Sequence, residues 1–138
     1  MMHVPGLYIT ESEGRGRGVF TLHPLQKGDI IELCPVLIIP PKDYKLIDQT
    51  SLFDYYFISP KPHPQRCFVL GYGSIYNHSY TPNAEIVFDI DNQKIEIHCT
   101  RMIEKCSEIF IDYTGGLKDA PKLWFENVEE SEIFTGEK

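Results

Sequence analysis

A chain of 138 residues, 42% hydrophobic and 24% charged, has the size and balance of one globular domain that can bury its own core. Its 20 acidic against 13 basic residues give a net charge of -7, the wrong sign for a duplex nucleic-acid binder; that charge suits a lysine-rich partner and serves equally as ordinary solubilising charge. The four cysteines form no CxxC pair, no stretch approaches a membrane span, and the start MMHVPGLYIT lacks a basic n-region and an apolar h-region, so a paired-cysteine zinc site, a membrane segment and a secretory leader are not expected, and cytosolic or nuclear residence is.

Taken in chain order, residues 7–10 and 18–22 read as short strands. Between them runs Glu13-Gly14-Arg15-Gly16-Arg17-Gly18-Val19-Phe20, whose alternate glycines allow a tight turn or close approach of the backbone to a ligand. The spacing is not GxGxxG, so a dinucleotide-binding loop is excluded. Residues 26–29 (Gln-Lys-Gly-Asp) form a turn, and an apolar run over 30–39 reads as a strand that Pro40-Pro41 stops. Residues 42–50 predict one short helix, 52–58 an aromatic-rich strand, and 59–65 a proline-rich loop.

Residues 71–83 (GYGSIYNHSYTPN) are dense in hydrogen-bonding side chains and turn formers. A turn held by its own side chains and a ligand-binding loop are both open readings of that segment. Residues 84–89 and 94–99 predict a hairpin: Ile86 and Phe88 face one way, and Ile95, Ile97 and Cys99 alternate with Glu96 and His98 around a tight turn at Asp91-Asn92. Residues 109–113 read as a last strand, followed by an acidic tail with an apolar patch at Leu123-Trp124-Phe125. The sum is a mostly β domain, a β-rich α+β class. His3, His23, His63 and His98 have no ligand spacing, so no metal site is expected.

Three pieces in order, Gly-x-Gly-Val-Phe at 16–20, Asn-His-Ser-x-x-Pro-Asn at 77–83 and Glu-Ile-x-Ile-Asp-Tyr at 108–113, resemble the SET-domain family of protein lysine methyltransferases. The turn at 26–31 is similar to the one before that family's second strand. The resemblance implies a β-clip-like fold of several small sheets, a domain spanning 5–116, and a C-terminal pseudo-knot whose halves are Asn77-His78 and Ile111-Asp112-Tyr113. It implies S-adenosylmethionine as methyl donor and S-adenosylhomocysteine as product. Gly16, Arg17 and Gly18 would contact the cofactor through backbone groups, with Tyr76, Asn77 and His78 holding its amino-acid and adenine parts. Tyr113 matches the catalytic tyrosine. A substrate channel would be lined by Tyr55, Tyr56, Phe110, Ile111 and Trp124, with Tyr56 the fallback for Tyr55. The implied substrate is a lysine on another protein, histones being a common target of the family. No oligomeric state is indicated.

Several positions depart from the family pattern. Ser74-Ile75 replace a usual Arg-Phe pair, Cys106-Ser107-Glu108 replaces a Gly-Glu-Glu turn, and Ile111 stands where Phe or Tyr is common. The three-cysteine zinc segment is missing, so residues 117–138 are expected either to close the channel as an apolar lid or to pack ordinarily. These departures keep an alternative open, a degenerate SET domain that binds a peptide without catalysis.

Overall fold

Strand β1 (Leu7–Ser12) and strand β2 (Gly16–Thr21) form an antiparallel hairpin, from Leu7 opposite Thr21 to Ser12 opposite Gly16. Its turn depends on Gly14 and Gly16, at φ 72 and 73, in the left-handed region that side chains disfavour. The computed structural model describes residues 2–60 and 62–113; Trp124 and the tail proposed as a lid lie outside them.

Strand β3 (Ile30–Ile38) is the spine of a five-stranded sheet. Its first part, to Pro35, pairs with a later strand at 94–99, and its second part, Val36 to Ile38, pairs with one at 66–69. Pro35 sits at the handover: it has no N–H for a ladder, and its carbonyl accepts from Leu70 N–H at 2.9 Å. A register shift between Ile30 and Glu32 leaves Ile31 and Glu32 both buried, and from there the even positions Glu32, Cys34 and Val36 share the core face.

The expected helix over 42–50 is shorter, a 3-10 turn at Pro41–Asp43 followed by one α turn, α1 (Tyr44–Ile47). The expected strand over 52–58 is corrected: Ser51–Asp54 is a 3-10 turn capped by the Thr50 hydroxyl, and only β4 (Tyr56–Ile58) is extended. Leu52 and Phe53 are apolar but exposed, so their side chains do not report a strand with a buried face. Strand β5 (Arg66–Val69) pairs with β4.

Strand β6 is the pair Asn77–His78. The predicted hairpin is present as β7 (Ala84–Asp89) and β8 (Lys94–Cys99), with Ile95, Ile97 and Cys99 buried. Its turn is a 3-10 turn at Ile90–Asn92 closed by Gln93 at φ 52, not a two-residue turn. The large sheet runs β4-β5-β3-β8-β7. Ahead of the last expected strand, over 109–113, lies β9 (Ser107–Glu108), which joins the first hairpin beside β2; of the expected span only β10 (Phe110–Ile111) is a strand, and it pairs in parallel with β6. Between β9 and β10, Ile109 turns wholly into the core with Val19, Ile31, Ile95, Ile97 and Ile111. Among the described residues no helix is long and apolar enough to cross a membrane.

Cys106, where the family favours glycine, stands exposed at φ 61. A left-handed residue with a side chain is strained by roughly 1–2 kcal/mol, part of which glycine returns as freedom in the unfolded chain. Cys106→Gly is therefore expected to stabilise the protein by about 0.5–1 kcal/mol. Thermal denaturation checks this; a lower Tm would mean that the contact between the Cys106 thiol and the Tyr8 phenol outweighs the strain.

Candidate functional site

The parallel pairing of β6 with β10, Phe110 opposite Asn77 and Ile111 opposite His78, places the polar segment 77–83 directly against the C-terminal strand. Asn77 is 3% exposed. Its amide donates to the Arg17 carbonyl at 3.1 Å and to Glu108 Oε2 at 2.7 Å. Both amide hydrogens are thereby used within the protein, and the side-chain oxygen is left as the acceptor. Glu108 Oε1 accepts from the Ser12 hydroxyl at 2.6 Å, so one carboxylate ties together β1, β6 and β9. Gly18 lies under this group: a Cβ there would stand 2.2 Å from Glu108 Oε2 and 2.8 Å from Asn77 Nδ2.

The motif's last residue explains how the segment is held. Asn83 donates to the Glu108 carbonyl at 2.9 Å, accepts the Phe110 N–H at 2.8 Å, and gives its own N–H to the Phe110 carbonyl at 3.2 Å. Ser79 N–H adds a bond to the Ile111 carbonyl at 2.9 Å, and Arg101 braces the loop through the carbonyls of Pro82 and Thr81. This hydrogen-bond network fixes β10, and the chain then leads directly into Tyr113.

Tyr113 makes two bonds back across the pairing. Its N–H donates to His78 Nδ1 at 2.9 Å, and its hydroxyl donates to the Tyr76 carbonyl at 2.5 Å. Its ring meets Phe57 edge-on at 5.7 Å and lies 5.2 Å from the His78 ring. Burial pushes the phenol far above its ordinary pKa and outweighs the opposing pull of the Arg15 charge, with Glu108 and Tyr55 adding smaller upward pushes. The hydroxyl is therefore neutral at any physiological pH. Arg15 itself spans from the first hairpin to this site, donating to the His78 carbonyl and lying 5.2 Å from the centre of the Phe110 ring.

The residues singled out from the sequence fall into three groups. Asn77, His78, Phe110, Ile111 and Tyr113 are brought together by the β6–β10 pairing, Arg17 and Gly18 join them against the Asn77 amide, and Gly16 opens β2 just ahead of these two. Tyr76 is at the site only through its carbonyl, because its side chain is wholly buried with the hydroxyl on Glu32 at 2.7 Å. Tyr55 and Tyr56 separate. Tyr55 is within electrostatic reach of the Tyr113 phenol, and its carbonyl accepts from the Ser74 hydroxyl at 3.3 Å. Tyr56 instead stacks beneath Arg66 at 5.0 Å, edge-on to Phe53, so Phe57 takes the place beside Tyr113.

Sequence reasoning missed Ser12, Arg15, Phe57, Asn83 and Glu108. Asn83 and Glu108 lie inside the quoted motifs and carried a signal that was legible; the bonds of Ser12 and Arg15 cross 96 and 63 residues and carried none.

A model of the SET domain matches residues 16–114. The chain is 32% identical over 126 residues, covering 91% of this chain and 80% of the relative, to a Schizosaccharomyces pombe protein described as a histone-lysine N-methyltransferase specific for H3 lysine-37. It is also similar to the crystal structure of a candidate histone methyltransferase from Plasmodium falciparum, with a TM-score of 0.64 and 30% identity over 87% of this chain and 96% of that one.

Proposed function

The chain belongs to the SET-domain family, and from that premise we propose that it transfers a methyl group from S-adenosylmethionine to the ε-amine of a protein lysine, releasing S-adenosylhomocysteine. The observation that carries this reading is Tyr113 itself, anchored by its N–H on His78 and by its hydroxyl on the Tyr76 carbonyl, where the strand holding Asn77 and His78 pairs with β10.

The donor chemistry of the site fits the cofactor. With its amide hydrogens used by Arg17 and Glu108, Asn77 can offer only its oxygen, which suits an α-ammonium donor. Gly16, at φ 73, has no side chain to bar close approach of the backbone. When bound, the cofactor supplies an electrophilic methyl on a sulfonium.

The chain's own contribution is then positioning and exclusion of water. A lysine with a pKa of ~10.4 costs about 4 kcal/mol to neutralise at pH 7.4. An aromatic approach beside Tyr55, Phe57 and Tyr113 lowers that cost, because desolvation disfavours the ammonium. Tyr113 is no base, since its phenol is held protonated. Its proton points to the Tyr76 carbonyl, so the oxygen's lone pairs are free to orient the incoming amine or methyl. In-line alignment of this kind contributes several kcal/mol.

For substrate, the acidic balance of the chain favours a lysine-rich protein, and both relatives are described as acting on histones. Labelled methyl transfer to core histones and other lysine-rich proteins tests the reading. Transfer is expected; neither transfer nor cofactor binding would favour the non-catalytic binding module instead, whereas binding without transfer would mean that the substrate lies outside the proteins tried.

Ile111, two residues before Tyr113, is wholly buried and has no phenol with which to hold a water or the amine. Addition of more than one methyl is accordingly expected. Mass spectra of an exhausted reaction that hold only monomethyl product would refute it.

A further inference from the structure

Glu32 is a carboxylate at a core position. After the register shift in β3 it shares the inner face with Cys34 and Val36, and it is 2% exposed. A buried carboxylate is costly unless its oxygens are hydrogen-bonded, and both are: Oε1 accepts from the Tyr76 hydroxyl at 2.7 Å, and Oε2 accepts from Tyr72 N–H at 2.9 Å. The Cys34 thiol adds a further bond, and burial together with this carboxylate pushes the thiol far up in pKa. The surrounding chain is shaped to the carboxylate. Gly71 stands at φ 65, and a Cβ there would lie 2.4 Å from Glu32 Oε2.

A core need not contain this arrangement, because apolar residues of similar volume are often as stable as a buried polar pair. What distinguishes this one is where it leads. Tyr76 is gripped by its hydroxyl at Glu32 and presents its carbonyl to the Tyr113 hydroxyl. The same residue begins the step into Asn77, the first residue of β6. We infer that Glu32 is a positioning residue that fixes the Tyr113 hydroxyl through Tyr76. This rests on the reading of Tyr113 as the residue that orients the reacting groups. The carboxylate makes no contact with that hydroxyl; it sets the ring of Tyr76, hence its peptide plane, hence the direction in which the Tyr113 O–H points.

The test uses the full chain carrying Glu32→Gln or Tyr76→Phe. Tyr76→Phe keeps the ring and the carbonyl, so it cuts the link even if Glu32→Gln folds poorly. The first readout needs no substrate: the hydroxyl proton and ring-carbon NMR signals of isotope-labelled Tyr113. In both variants faster hydroxyl exchange and a shifted ring signal are expected. The second readout is steady-state kinetics well below each variant's Tm, where kcat is expected to fall about tenfold while KM for a lysine substrate changes little, the pattern of a misaimed group. Unchanged Tyr113 signals in a folded variant would overturn the inference, as would a loss of activity that simply tracks the unfolded fraction. A wild-type protein that transfers no methyl would sink the functional reading alone, because the NMR arm would still decide whether Glu32 holds the hydroxyl.

Discussion

Tyr113→Phe is expected to lower kcat by about 10²–10³-fold, the range seen when one pre-aimed hydrogen-bonding group is removed from a reaction site. Binding of S-adenosylmethionine is expected to change little, because the bonds from Tyr113 N–H to His78 and from Asn77 to Arg17 and Glu108 involve no phenol oxygen. The fold should persist: the lost bond to the Tyr76 carbonyl is worth about 1 kcal/mol, with a similar further cost if that carbonyl is left unsatisfied. Kinetics and calorimetric titration on one preparation therefore separate the chemical role from the structural one. A variant with wild-type kcat would remove Tyr113 from the mechanism.

The raised phenol pKa also makes the stability of the fold depend on pH in the alkaline range. A group whose folded pKa exceeds its unfolded value near 10 keeps its proton in the folded state while the unfolded chain loses one. Above pH 10 the folded state binds more protons, so stability falls as pH rises. Tyr113→Phe removes one such group, and the alkaline loss of stability should be shallower in the variant, the similarly raised Tyr76 supplying part of what remains.

The parts of this architecture that were legible in the sequence are those governed by local alternation or by a contiguous motif. The β7–β8 hairpin follows from Ile95, Ile97 and Cys99 alternating with polar residues, and the structure buries those three. The proximity of Asn77-His78 to Tyr113 came from motif order and a resemblance, not from any periodicity, since two-residue strands such as β6 and β10 have no period to read. Residues 52–54 misled because aromatic and aliphatic side chains suggest a buried strand, whereas Leu52 and Phe53 lie at the surface of a 3-10 turn. Glu108 was marked by its place in a motif, but its partners were not, because Ser12 and Asn77 lie 96 and 31 residues away. Gly18 was assigned to close approach of a ligand; in the structure the nearest atoms to its missing Cβ belong to Glu108 and Asn77.

That last placement makes Gly18→Ala the substitution with the largest expected effect on both stability and binding. The new methyl would lie 2.2 Å from Glu108 Oε2, 2.9 Å from its Cδ and 2.8 Å from Asn77 Nδ2, all impossible contacts. A carboxylate at the free end of a side chain would normally swing aside, but this one is pinned by Ser12 on one oxygen and Asn77 on the other. Asn77 cannot yield outward either, being buried and bonded to Arg17. Overpacking of this kind costs about 1–3 kcal/mol, and loss of one of the displaced charged hydrogen bonds costs about 1.5–3 kcal/mol more. Because these contributions overlap, a total of about 2–4 kcal/mol is expected. Cofactor affinity should fall at least about tenfold, since the freed amide of Asn77 no longer fixes which atom it presents. Glu108→Gln is the control: it keeps the space under Gly18 and removes the charge, so it should weaken the network without the clash and lose less stability. Denaturant unfolding with calorimetric titration of the cofactor decides the matter. A Gly18→Ala protein of wild-type stability and affinity would show that the carboxylate is not pinned, and would return Gly18 to the simpler role of leaving room for a ligand.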